Sequence, residues 1–263
     1  MSRHSFELEH GYGPRVHVLD NVYLLSALAR IGSPDIAHRD LMALLRSVYH
    51  SLLVVSCGHE LPRVDAQVPT RMAATHGAAG VWKGEVFDPA TPIVVVDIVR
   101  AGIVPSQVCF ELLTALLPER NVRLDHLNMS RVADQAGHMV GVDLSGSKIG
   151  GSVEGATLIL PDPMGATGST TVRAIEHYKE RHGKPARVIA LPMISTPEYL
   201  RRVLDAVPEL VVYTARVDRG LSDAETLARV PGEAWAHEKG LDAKSYIVPG
   251  AGGMGEVINN SWC

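Results

Sequence analysis

Apolar positions recur at three- and four-residue spacings through "DNVYLLSALARIG" and "DIAHRDLMALLRSVYHSLLVV", which predicts two helices between Val22 and Val55. "GSPD" breaks the pattern between them, with Ser33 the expected N-cap and Pro34 at the first helical position. Downstream the pattern changes to short, continuous apolar runs. "TPIVVVDIVRAG" (91–102) reads as a buried strand ending in a glycine turn, and "SQVCFELLTALLP" as the helix after it. "RLDHLNMSRV" is a weaker strand, and the glycine-rich stretch 134–155 reads as loops or a hairpin. "ATLILPD", "ARVIALPMI" and "LVVYTARV" are strands, with helices at "STTVRAIEHYKERHG" and "TPEYLRRVLDAVPE" between them. This alternation, with strands apolar on both faces, predicts an α/β domain around a parallel sheet. Residues 1–20 read as a flexible N-terminal arm and 21–263 as a single domain.

Composition narrows the functional classes. A net charge of −4 and 5% aromatic residues give neither a basic footprint nor stacking platforms for nucleic acid. Cys57, Cys109 and Cys263 stand far apart, which argues against a zinc knuckle or disulfide framework and fits a reducing cytoplasm. No signal peptide or membrane span is expected, and the histidines form no HExxH-type motif.

Chemistry concentrates where strand gives way to helix, in "LILPDPMGATGSTTVRAIEHYKE" (158–180). A helix N-terminus offers unpartnered N–H groups and partial positive charge, and small hydroxyl residues let an anion come close. "ATGSTT" therefore suits a phosphate, while Asp162 ahead of it would repel phosphate but accept hydrogen bonds from sugar hydroxyls. Together they read as a phosphosugar site. On chemistry alone, Thr167 to Thr171 could equally cap the helix and Asp162 a turn.

"DPMGATGST" resembles the phosphoribosyl-pyrophosphate (PRPP) motif of type I phosphoribosyltransferases, and "DPM" resembles that of uracil phosphoribosyltransferases in particular. "IVRAGIVPS" resembles the same family's pyrophosphate loop, "NMSR" (128–131) its mobile arginine segment, and "LVVYTARVDRGLS" a further family motif. "SYIVPGAGGMGE" resembles its uracil loop. The resemblance implies a type I phosphoribosyltransferase fold, a mostly parallel twisted sheet flanked by helices with a smaller hood or arm region. It implies transfer of phosphoribose from PRPP to a pyrimidine base, giving UMP and pyrophosphate in pyrimidine salvage. A different uracil-like heterocycle, or a non-catalytic PRPP-binding regulator, stays open. By the same resemblance, Arg100, Ala101, Gly102 and Arg131 meet the pyrophosphate. Asp162, Pro163, Met164, Gly165, Ala166, Thr167, Gly168, Ser169 and Thr170 hold the ribose and 5′-phosphate. Tyr246, Ile247, Pro249, Gly250, Gly252, Gly253 and Met254 read the base. Asp162, Arg100 and Arg131 are the expected catalytic residues. Mg²⁺ arrives with PRPP rather than on protein ligands, and a dimer or larger homo-oligomer is expected.

Two departures stand out. The family's "GDAGD" is "GGMGE" here, so Gly253 replaces one aspartate and Glu256 another. Residues 223–244, before the base loop, read as an insertion: a lid, an oligomer contact or a surface elaboration.

Overall fold

The computed structural model describes residues 6–133 and 139–262, leaving the side chains of 130–142 outside the description. Its elements run β1 (Val16–Val18), α1 (Val22–Ile31), α2 (His38–Glu60), β2 (Arg63–Pro69), α3 (Ala73–His76), β3 (Val81–Phe87), β4 (Ile93–Val99) and α4 (Ile103–Leu116). They continue with β5 (Val122–Ala133), β6 (Met139–Lys148), β7 (Thr157–Gly165), α5 (Ser169–Arg181), β8 (Arg187–Ser195), α6 (Pro197–Ala206), β9 (Leu210–Thr214), β10 (Arg216–Val217), α7 (Ala224–Ala228) and α8 (Met254–Asn259).

The central sheet has the order β1-β9-β8-β7-β4-β5-β6, with β10 beside β8. All its pairings are parallel except β5 with β6, which form an antiparallel hairpin from the glycine-rich stretch. Side chains alternate between two cores, as a period of two requires. Val95, Ile159, Ile189 and Leu191 pack toward α1, α2 and α4, whereas Val94, Val96, Leu158, Leu160 and Ala190 pack toward α5 and α6. Both faces are covered, which is why the strands read as unbroken apolar runs.

Several expectations are corrected. Helix α2 starts at His38 behind Ala37, which provides no side-chain cap; Ser33 instead receives the Asp35 N–H in a local turn, 3.4 Å away. The supposed arm contributes β1 to the sheet edge, and Tyr12 is buried. Helix α2 is, by length and composition, apolar enough to cross a bilayer, but Leu41, Leu45, Val48 and Leu52 are buried and the helix packs on α4 and β8. Residues 223–244 are bound into the fold rather than draped over it. Glu238, with its side chain fully buried, accepts from Arg219 at 2.8 Å, from the Gly232 N–H at 2.8 Å and from the Tyr12 hydroxyl at 2.7 Å. Trp235 meets the Tyr12 ring edge-on at 5.2 Å. The segment thus fastens the N-terminal stretch to the body. Apart from the sheet, β2 and β3 form an antiparallel ribbon with Val64, Val68, Trp82 and Val86 exposed.

Candidate active site

Chain order reverses between β4 and its two neighbours: β5 lies on one side and β7, reached much later, on the other. Loops leaving the carboxyl ends of two such strands diverge, and the crevice between them is where open α/β sheets bind ligands. A cleft of about 580 Å³ occupies this place. One wall carries Val99, Arg100 and Ala101 from the end of β4, with Asp162, Met164, Ala166 and Thr170 from β7 and α5. The lining is completed by Ser245, Tyr246 and Ile247 with Gly252, Gly253, Met254, Gly255 and Glu256.

Asp162 lies within β7, not at its end. The strand stays paired with β8 as far as Gly165 opposite Ser195, so the handover to helix falls at Ala166–Gly168. The Asp162 carboxylate accepts the Met164 N–H at 3.1 Å, which holds it at the cleft margin. Thr196, from the start of α6, donates its hydroxyl to the Ala166 carbonyl at 2.7 Å and fixes the loop. Gly168 precedes α5 with φ +78°, and a Cβ there would stand 2.9 Å from Val203 Cγ1; only glycine meets both conditions cheaply. The Thr167 hydroxyl accepts the Ser169 N–H at 3.4 Å at the start of α5, and Asp162 turns back on the Met164 N–H, so local capping is part of what these residues do. Thr167 and Ser169 face each other with hydroxyls 3.2 Å apart, and Arg202 of α6 donates to the Ser169 hydroxyl. Arg202 brings a guanidinium to the helix start, and nothing in its sequence context announced it.

Arg100 donates to Glu256 at 3.1 Å and to the Ser261 carbonyl at 3.0 Å. The backbone at Gly253 leaves space for this pairing. A Cβ at residue 253 would lie 2.4 Å from Glu256 Oε2. The Glu256 carboxylate thus reaches back toward residue 253, the position where the resemblance expects an acid. Arg131 lies on β5, but its side chain falls outside the described residues. Asn128 and Met129 of the same strand line the cleft.

The loop 245–254, expected to read the base, is held from behind. Asp218, 2% exposed at its side chain, accepts from Arg216 Nε at 2.5 Å and Nη2 at 2.9 Å, and from the Gly250 N–H at 2.7 Å. Arg216 Nη2 also reaches the Gly250 carbonyl at 3.3 Å, while the Val248 N–H donates to Gly240 and the Val248 carbonyl accepts from Gly220. Tyr246, Ile247, Gly252, Gly253 and Met254 reach the cleft, whereas Pro249 and Gly250 sit behind it in the turn. Beneath the arginine loop, Asp97 is buried with one oxygen 2.7 Å from His126 Nδ1, and burial raises its pKa above the usual 3.8.

A parallel sheet carrying an arginine turn and a carboxylate with a hydroxyl-rich helix start at its switch point is the arrangement of a phosphoribosyltransferase. More narrowly, the uracil phosphoribosyltransferase family profile matches residues 18–235, and the chain belongs to that family. The uracil phosphoribosyltransferase of Synechocystis sp. is 28% identical over 196 residues, 74% of this chain and 74% of that protein. That of Burkholderia vietnamiensis is 26% identical over 248 residues, 93% of this chain and 94% of the other. Among solved structures, the AQ2163 protein from Aquifex aeolicus shares the fold. It has a TM-score of 0.69 at 19% identity, covering 92% of this chain and 97% of that one.

Proposed function

We propose that the chain transfers the phosphoribosyl group of PRPP to uracil, producing UMP and pyrophosphate for pyrimidine salvage. The observation that carries this reading is the gathering of two sets of groups in one cleft: the Arg100 turn with Asp162 and Thr170, and the Tyr246–Ile247 and Gly252–Met254 loop. The α5 start, with Gly168, Ser169 and Thr170, takes the 5′-phosphate, and Asp162 accepts from the ribose hydroxyls. Arg100 exchanges Glu256 and Ser261 for pyrophosphate oxygens, which a planar guanidinium meets bidentately. Arg131, on the β5–β6 hairpin, adds a second cation to the same group.

A uracil nitrogen attacks the anomeric carbon as its bond to pyrophosphate oxygen breaks, and the nitrogen's proton is lost. Positive charge grows on the sugar ring, as in other oxocarbenium-like transfers. The cationic side chains stabilise the charge gained by pyrophosphate. The cleft offers Asp162 and Glu256 as carboxylates, a donor set that suits Mg²⁺, which keeps most of its waters and is held chiefly by substrate phosphates. When bound, that ion neutralises part of the leaving group's charge.

The base loop presents backbone N–H and C=O groups to a pyrimidine edge, and buried Met254 closes the floor. The exposed apolar side chains on the β2–β3 ribbon support a homo-oligomer, since a patch of this kind favours burial against a partner. Cys57 and Cys109 are free thiols, and burial pushes Cys57 up to about 12, in keeping with inert structural cysteines in a reducing cytoplasm. The test is incubation of purified protein with PRPP, Mg²⁺ and a panel of bases, followed by chromatography. UMP and pyrophosphate from uracil support the reading. Product from another base alone, or PRPP binding without product, overturns it.

A further inference from the structure

On the sheet edge, apart from the residues that line the cleft, three segments distant in sequence bring metal-ligand atoms together. Glu7 is held by backbone pairing, Leu8 N–H to the Val18 carbonyl at 2.9 Å and Asp20 N–H to the Phe6 carbonyl at 2.6 Å. His17 sits in β1 with Tyr213 of β9 as its register partner, and the two rings stack at 4.3 Å and 10°. His59 comes from the last turn of α2. The Glu7 carboxylate is 3.0 Å from His17 Nδ1 and 4.0 Å from His59 Nδ1, and one ligand atom from each of the three residues lies within 4.8 Å of the others.

We propose that Glu7, His17 and His59 bind a divalent transition-metal ion of the Zn²⁺ class, which fastens the N-terminal segment to α2. Two imidazoles and a carboxylate are a donor set that Zn²⁺ takes at about 2.0–2.2 Å, so ligand atoms around one ion stand about 3.3 Å apart. The Glu7 separations of 3.0 and 4.0 Å bracket that value. Side-chain exposures of 21%, 22% and 24% leave one side open for water as the fourth ligand. Stacking on Tyr213 fixes the His17 ring. The Tyr213 hydroxyl donates to Glu60 at 2.8 Å and lies 3.3 Å from His59 Nδ1, a contact that ligation of the ion through that nitrogen replaces. Glu60 itself is engaged by Tyr213 and Arg187.

Tag-free protein, stripped with a chelator, is titrated with ZnCl₂ by calorimetry. The expected result is about one ion per chain, with His17→Ala and His59→Ala each weakening binding at least about 100-fold and His76→Ala leaving it unchanged. Zn²⁺ in excess raises Tm of the wild-type chain by at least about 3 °C and that of neither ligand variant. Diethylpyrocarbonate labelling of the wild-type chain, read by mass spectrometry, serves if a variant fails to fold: Zn²⁺ protects His17 and His59 and not His76. Absence of saturable binding up to about 100 µM overturns the site. So does binding that survives both substitutions, or labelling that Zn²⁺ does not change. Each of these readouts is independent of phosphoribosyl transfer.

Discussion

Asp218→Asn tests how the base loop is held. The side chain keeps its shape, but one carboxylate oxygen becomes an NH₂ group. With the remaining oxygen serving Arg216 Nη2 and the Gly250 N–H, the NH₂ faces Arg216 Nε, which now stands 2.5 Å from Asp218 Oδ1. One hydrogen bond from a charged donor is lost and two donors are set against each other at a site 2% exposed on the aspartate side. A hydrogen bond to a charged group is worth about 1.5–3 kcal/mol, which converts to about ten- to 150-fold. Because the clamp touches Gly250 and none of the sugar-phosphate residues, the loss falls on the base: KM for uracil rises by that factor, and KM for PRPP changes less than about twofold. Steady-state kinetics with each substrate varied in turn, on protein with a wild-type circular dichroism spectrum, reads the split. An unchanged KM for uracil, or an equal rise for PRPP, refutes the reasoning.

Gly253→Asp supplies the carboxylate that the resemblance expects; the atom its Cβ meets is the movable end of Glu256, so the site accommodates it and initial rates with uracil rise, a fall in rate contradicting the reasoning. Glu238→Ala costs about 3–5 kcal/mol in urea denaturation, since Arg219 loses its buried partner, and it exposes residues 6–15 to limited proteolysis. Asp97 gives a pH signature. Its folded-state pKa is raised by burial, so its contribution to stability is complete below pH 3.8 and is lost as pH rises through the folded value. Asp97→Asn removes that term, and the difference in urea midpoint between variant and wild type grows as pH rises above 3.8; a constant difference contradicts the assignment.

Local signals carried the reading of this chain furthest. The strands at 91–99, 157–165 and 187–195 were legible because burial on both faces leaves unbroken apolar runs. The strand, carboxylate, glycine and hydroxyls of 158–170 could be read as one candidate site because they are contiguous. What sequence concealed are relations through space. Arg202 reaches Ser169 from another helix, and Arg216 with Asp218 grips Gly250 some thirty residues away. Nothing in "ARVDRG" distinguishes that clamp from a surface ion pair. Edge strand β1 has three residues, too short for a periodicity to register, and it forms only against β9. The stretch 223–244 could be read as a lid, an oligomer contact or an elaboration because Glu238 is a glutamate in a polar run; its partners Tyr12 and Arg219 become neighbours only in the folded chain.

The most direct test of the central claim is UMP formation from PRPP and uracil by wild-type protein, Asp162→Asn and Arg100→Ala, followed by chromatography with thermal melts run alongside. The account predicts UMP and pyrophosphate in equal amounts from the wild type and a loss of at least about a hundredfold in each variant at unchanged Tm. Full activity in both variants, or no UMP from the wild type, contradicts it.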